Sequence, residues 1–283
     1  MTLRQIPSLA SGPAVRATAL AGVVALALSS APALAGGQSF DDGWTAYDSG
    51  DFATALAVWQ PLADDGNVLA QYNIGVMYDQ GRGVEIDRAT AMSWWEKAAE
   101  QGYARAQHNL GLTYIGTFGD DQDYERAVHW LQRAANKGFA RSQYTLGKMY
   151  HYGMGVPRDS AKSFELFSAA GRAGLPQAQY NLGKMLRDGD GTEASTEQSI
   201  RWFRLAAAQG YAKAQEKMAR RYSRGSGVEQ DKVEALKWAI LAGDQGHEGA
   251  LELRDSLRAE LSDAQQDEAS ARAANFVSVT LSN

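Results

Sequence analysis

The residue types that do chemistry are few in this chain, and their spacing narrows what they could do. There is no cysteine among the 283 residues, which excludes disulfide scaffolds, zinc ribbons, thiolate clusters and cysteine nucleophiles at once. The four histidines, His108, His129, His151 and His247, share no His-x-x-x-His or His-Glu-x-x-His pattern. A metal site would need ligands that converge, so each reads as a packed or surface histidine. The acidic pairs Asp41-Asp42, Asp64-Asp65 and Asp120-Asp121 have the residue types of a hydrolase carboxylate pair, but they fall at expected helix starts and turns, where caps and solvated loops account for them. Glycine pairs of the form Gly-x-Gly, as in Gly81-Arg82-Gly83 and Gly153-Met154-Gly155, could cradle a phosphate. No strand pattern precedes them and no Lys-Ser/Thr follows, so they read as turns. No catalytic residue, metal or cofactor is expected.

Composition agrees with a folded chain: 45% of residues are hydrophobic and 22% charged. The 28 basic against 33 acidic residues give a net charge of -5 and no general reason to expect nucleic acid as a partner. Residues 1–35 read as a secretory leader. Arg4 and Arg16 form a positive start, Ala17 to Leu28 is small or apolar, and Ala33-Leu34-Ala35 fits the small-x-small cleavage rule. The apolar run is too short to span a bilayer. Cleavage after Ala35 deletes two arginines and no acid, which makes the mature chain two charges more acidic. A periplasmic or secreted location is the expectation, with no membrane span in the mature chain.

The glycines and acids are repeated elements. Segments beginning at Ala70, Ala106, Ser142, Ala178 and Ala214 align without a gap at a spacing of 36 residues. Gln71, Gln107, Gln143, Gln179 and Gln215 come second in each. Ile74-Gly75, Leu110-Gly111, Leu146-Gly147, Leu182-Gly183 and Met218-Ala219 follow, then Tyr78, Tyr114, Tyr150, Leu186 and Tyr222. After the glycine-rich turn stand Asp87, Asp123, Asp159, Ser195 and Asp231, side chains that cap the start of a helix. In that second helix Ala91, Trp94, Trp95 and Ala98 fall at i, i+3, i+4 and i+7, a buried stripe. Gly102, Gly138, Gly174, Gly210 and Gly246 close the units, placed as left-handed caps. Each unit is a helical hairpin. A shorter copy with Tyr47, Asp51, Ala55, Trp59 and Gly66 precedes the array and makes six. Residues 250–276, with a cap at Ser262, are expected to cover the apolar end of the last repeat. The organisation is therefore a leader at 1–35, a short hairpin at 36–69, five repeats at 70–249 and a capping segment with tail at 250–283.

The pattern Ala-x-x-x-Leu-Gly-x-x-Tyr, Gly-x-Gly-Val, Asp, Ala-x-x-Trp, Ala-Ala, Gly resembles the Sel-one-like repeat family, a branch of the tetratricopeptide-type helical solenoids. Thr117 and Gly119 break the second turn, Leu186 replaces a tyrosine, and Ala219 replaces the first-helix glycine. The resemblance implies an all-α, right-handed α/α superhelix acting as a non-catalytic adaptor or scaffold, often in bacterial envelopes, where some members regulate sensors or serve exopolysaccharide systems. The concave face of such a solenoid is lined by the first-helix side opposite the core. Here those positions are Tyr72, His108, Tyr144, Tyr180 and Glu216; Val76, Leu112, Lys148, Lys184 and Arg220; and Asp79, Ile115, His151, Arg187 and Ser223. The expected partner-binding groove is thus apolar and aromatic at Tyr72, Val76, His108, Leu112 and Ile115. Its C-terminal half, at Tyr144, Lys148, His151, Tyr180, Lys184, Arg187 and Arg220, is basic through its lysines and arginines. Its expected occupant is another protein of the envelope or membrane; the alternative is a glycan or peptidoglycan fragment stacked on the tyrosines.

Overall fold

A computed structural model describes residues 39–116 and 122–279. The leader and its cleavage site at Ala35, the Thr117/Gly119 departure, Asp120-Asp121 and the last four residues lie outside these. The described residues form fourteen helices and no strand. They fall into two compact units divided after Gln122.

The first unit holds α1 (Phe40–Asp48), α2 (Phe52–Asp64), α3 (Val68–Gln80), α4 (Arg88–Glu100) and α5 (Ala104–Tyr114). Each helix packs on its neighbours in the chain, and the core is built from Ala55, Trp59, Ala70, Ile74 and Met77. Asp41 and Asp42 stand in the first turn of α1 behind the Ser39 capping box, and Asp64-Asp65 end α2. Solvated helix ends account for both pairs.

The second unit holds α6 (Tyr124–Asn136), α7 (Ala140–Tyr152), α8 (Ser160–Arg172), α9 (Pro176–Asp188), α10 (Thr196–Ala208), α11 (Ala212–Arg224), α12 (Lys232–Gly243), α13 (Glu248–Glu260) and α14 (Asp263–Ala274). The expected caps are in place. Asp51, Asp87, Asp123, Asp159 and Asp231 each accept from the amide three residues on at 2.8–3.1 Å, and Ser195 does so at 3.3 Å.

Two repeated residues explain how hairpins join. The repeated glutamine of each first helix donates Nε2 to a carbonyl near the end of the preceding second helix. The pairs are Gln71 to Ala63, Gln107 to Ala99, Gln143 to Ala135, Gln179 to Gly171 and Gln215 to Ala207, at 2.9–3.3 Å. A helix end leaves its last carbonyls without a partner inside the helix, and a buried one must find a donor elsewhere. The second glycine of the turn is left-handed and lies against the start of the second helix one repeat earlier. A β-carbon on Gly155 (φ 69°) would stand 2.5 Å from Tyr124 Cβ, which explains a glycine there independently of any phosphate.

The end of the chain departs from the hairpin pattern. α13 takes the place of a first helix, but α14 packs on α12 rather than pairing closely with α13. Ala269 lies in the last core cluster, and Phe276 sits edge-on to Trp238 at 5.6 Å. Arg272 fixes α14 to α12 through Glu234 at 3.2 Å. Small residues on one side of α14 allow this close seat, and the apolar end of α12 is covered.

Candidate functional site

The face of the first helices opposite the core is formed differently in the two units. In the first unit, Tyr72 packs edge-on to Tyr103 with centroids 5.0 Å apart, and Val76 and Leu112 are half-buried. His108 and Ile115 are each only 7% exposed. The expectation that these two line an open surface is corrected: they are packing residues. His108 lies in the middle of α5, and Ile115 is the cap residue that closes it.

In the second unit the face is aromatic and cationic, but its tyrosines serve first as packing. Tyr144 lies against Phe167 with centroids 5.6 Å apart, and Tyr180 is held between Phe203 at 5.6 Å and Tyr211 at 5.5 Å. One side of each ring is therefore engaged in packing within the protein. The Tyr144 hydroxyl accepts from Asn181 Nδ2 at 3.4 Å. Burial, with the Tyr211 hydroxyl near it, pushes the Tyr144 phenol up to about 12; burial also raises Tyr180 and Tyr211.

The basic residues divide into two sets. Arg187 is paired with Asp188 at 2.7 Å, and Arg220 with Glu216, which also takes Lys217 at 3.0 Å. Glu216 is itself 4% exposed. Burial pushes its carboxyl upward, but the hydrogen bonds from Arg220 and Lys217 outweigh that and hold it below the usual range. Arg187 and Arg220 each have a carboxylate partner on their own helix, so the basic half of the expected groove holds both paired and unpaired cations. His151 lies 3.5 Å from Asp190, with burial lowering its basicity.

Lys148, Lys184 and Lys213 form no ion pair with any carboxylate among the described residues. Lys148 Nζ stands 5.9 Å from the centre of the Tyr144 ring. Lys148 is half-buried rather than exposed, and its ammonium is depressed by burial first and by Lys213 second. The chemistry on offer is a face that carries the half-buried Lys148 and Lys184 and the exposed Lys213 beside phenolic hydroxyls.

Two members of this patch, Tyr211 and Lys213, were not among the expected groove residues. The signal was present: the residue after each end glycine is Tyr103, Phe139, Leu175, Tyr211 and His247, and in Tyr103 and Tyr211 it is the one that meets the face tyrosine of the preceding first helix. Among the described residues no group of three or more histidines and acids could hold a metal ion, and no helix is long and apolar enough to cross a membrane.

The family profile described as "Sel1 repeat" matches five consecutive stretches, residues 68–103, 104–139, 140–175, 176–211 and 212–247. Among solved structures, a Sel1 repeat protein from Oxalobacter formigenes is 26% identical with a TM-score of 0.71, over 83% of this chain and 96% of that one. A protective antigen of uropathogenic Escherichia coli strains, displaying an SLR fold, is 24% identical with a TM-score of 0.55, over 83% of this chain and 60% of that one. No curated protein sequence matches significantly.

Proposed function

The chain belongs to the Sel1 repeat family, whose members are in general non-enzymatic protein-interaction scaffolds, and from that premise we propose that it is an exported adaptor of the bacterial envelope that holds a protein partner on the first-helix face of its second unit. The observation that carries this reading is the set Lys148, Lys184 and Lys213, cations that no carboxylate among the described residues pairs. Lys148 and Lys184 are half-buried and Lys213 is exposed; a partly desolvated ammonium without a counter-charge lowers stability, and a face that keeps such cations is suited to an acidic partner. Export is supported by the leader pattern at 1–35.

A glycan stacked on the tyrosines is the weaker reading. Stacking needs free ring face, and the packing of Tyr144 on Phe167 and of Tyr180 on Phe203 and Tyr211 reduces what these rings can offer a sugar.

The test is photo-crosslinking in the native host, with the photoreactive residue placed at Lys184 in one strain and at the exposed, outward Arg204 of α10 in the other. Capture of a discrete protein from position 184 and not from 204 is the expected result; the reverse would overturn the groove assignment. Intact mass of the exported protein should begin at Gly36, and a mass that retains residues 1–35 would overturn cleavage.

A further inference from the structure

In each described seven-residue turn the second glycine seats on the first residues of the second helix one repeat earlier. A β-carbon on Gly83 would stand 2.6 Å from Phe52, one on Gly155 2.5 Å from Tyr124 and one on Gly227 2.6 Å from Ile200, while one on Gly191 would meet Ser160. Val84 and Val228, which follow the glycine, pack against the adjoining core. The link from α13 to α14 is Leu261-Ser262 alone and carries no glycine turn. The first residues of α12 are therefore not covered as those of the earlier second helices are, and a cleft of about 620 Å³ is left beside them. Tyr222, Val233 and Leu261 give it apolar walls. Where Val233 stands, the earlier second helices carry Ala53, Ala89, Glu125, Ala161 and Glu197, so the larger apolar side chain belongs to the open seat and not to the repeat. At the rim Lys232 is taken by Glu260 at 2.7 Å, while Glu229 has no cationic partner among the described residues.

We propose that this cleft receives a glycine turn of a partner protein, of the form Gly-Arg-Gly-Val. Its second glycine approaches the start of α12 as Gly83, Gly155 and Gly227 approach theirs, its valine lies on Val233 and Leu261, and its arginine meets Glu229. The array itself is the template, because the same seat is filled in this way by the described turn of each following repeat. Only glycine allows so close a backbone approach in a left-handed turn, and the charge left over at the rim is negative, which favours a basic segment. A second copy of this chain is a poor occupant. The glycine it has free in a hairpin turn is Gly50, with no atom near its β-position, and Asp48 and Asp51 beside it would face Glu229. The cleft lies among turns and second-helix starts, so the proposal does not rest on the first-helix face.

The probe is a cyclised peptide carrying Gly-Arg-Gly-Val, titrated into the full mature chain and followed by amide NMR. The amides of Lys232, Val233 and Leu261 are expected to shift together, and a peptide with both glycines replaced by alanine to bind about ten-fold more weakly or worse. Glu229→Lys should weaken binding by about two- to five-fold. Glu193→Lys is the control, since it changes the same exposed position one repeat earlier, where Gly227 already fills the seat, and it should leave binding unchanged. Val233→Arg, at a half-buried helix start, should block the cleft and abolish the shifts while the melting temperature is kept. No shift at about millimolar peptide, equal binding of the alanine peptide, or shifts centred on the start of α10 overturns the seat. Equal loss for Glu193→Lys, or equal binding of a peptide with glutamate in place of arginine, overturns the basic turn as occupant. Self-association that shifts the same amides without peptide makes a second copy the occupant and overturns the partner. Crosslinking from position 184 reads the first-helix face alone, so its failure and the failure of the peptide are separate results.

Discussion

The ring of Phe203 occupies the space that a β-carbon on Gly183 would need: built on the backbone, that carbon would stand 2.9 Å from the ring. Gly147 faces Phe167 at the same distance, and Gly75 faces Trp95 at 2.5 Å. In each case the ring lies 20 residues after the glycine. The last repeat carries Ala219, and 20 residues on stands Ala239. The departure in the first helix is therefore matched by a smaller residue in the second.

An alanine at a helical glycine ordinarily stabilises by about 1 kcal/mol. Gly183→Ala should instead lower stability by about 1–3 kcal/mol, because it overpacks the Phe203 contact. Gly171→Ala in α8 is the control, since its added carbon would meet only ordinary contacts at 3.5 Å or more, and it should raise the melting temperature. Gly183→Ala combined with Phe203→Ala should show a favourable coupling in a double-mutant cycle. Additivity of the two changes would mean the glycine is there for another reason.

The glutamine bridges make a second prediction. Gln209 donates to Gln179 Oε1 at 2.8 Å, and Gln245 to Gln215 at 2.8 Å. At the corresponding place after Gln143 the residue is Ala173, and Gln143 Oε1 is buried without a partner. Ala173→Gln should complete the bridge and add about 1 kcal/mol, read as a shift in the denaturant midpoint. No shift, with Gln143→Ala also neutral, would show that the bridge contributes nothing to stability.

Glu216 predicts a pH dependence. Its carboxyl is held below the ordinary value of 4.5 because the Arg220 and Lys217 hydrogen bonds outweigh burial. A depressed carboxyl contributes stability that is complete above its unfolded value and is lost as pH falls through the folded one. Stability should therefore drop below about pH 4.5, with part of the slope removed in Glu216→Gln. Arg220 also donates to the Gly249 carbonyl at 3.3 Å, so hydrogen exchange at the start of α13 should quicken first.

Tyr144 separates packing from recognition. Tyr144→Ala should cost about 2–4 kcal/mol, because the ring covers Phe167. Tyr144→Phe removes only the hydroxyl and should leave the melting temperature nearly unchanged, losing at most about 1 kcal/mol. A large drop for the phenylalanine variant would mean that the Asn181 bond is structural.

The hairpin array and its caps were legible in the chain because they depend on local chemistry. Asp87 caps α4 through the amide of Thr90 three residues away, and the same relation holds at every repeat. The repeat also placed Tyr144, Tyr180, Lys148 and Lys184 on one side of the first helices, since that follows from 3.6 residues per turn. It could not say that His108 and Ile115 turn inward, because burial depends on what a neighbouring helix brings against them.

The charge pattern shows the division most sharply. The sequence by itself determined that α7, α9 and α11 carry lysines and arginines on one face. Glu216 takes Lys217 and Arg220 from its own helix, a pairing that the spacing already allows; tertiary structure decides that, among the described residues, no neighbouring helix brings a carboxylate to Lys148, Lys184 or Lys213. Lys148 and Lys213 are far apart in the chain, and burial first and Lys213 second depress the Lys148 ammonium because the first helices of the second unit stack side by side. Periodicity records which residues face the same way; the net charge of a surface depends on distances of a few ångströms between side chains of different helices, and those are set only when the helices pack.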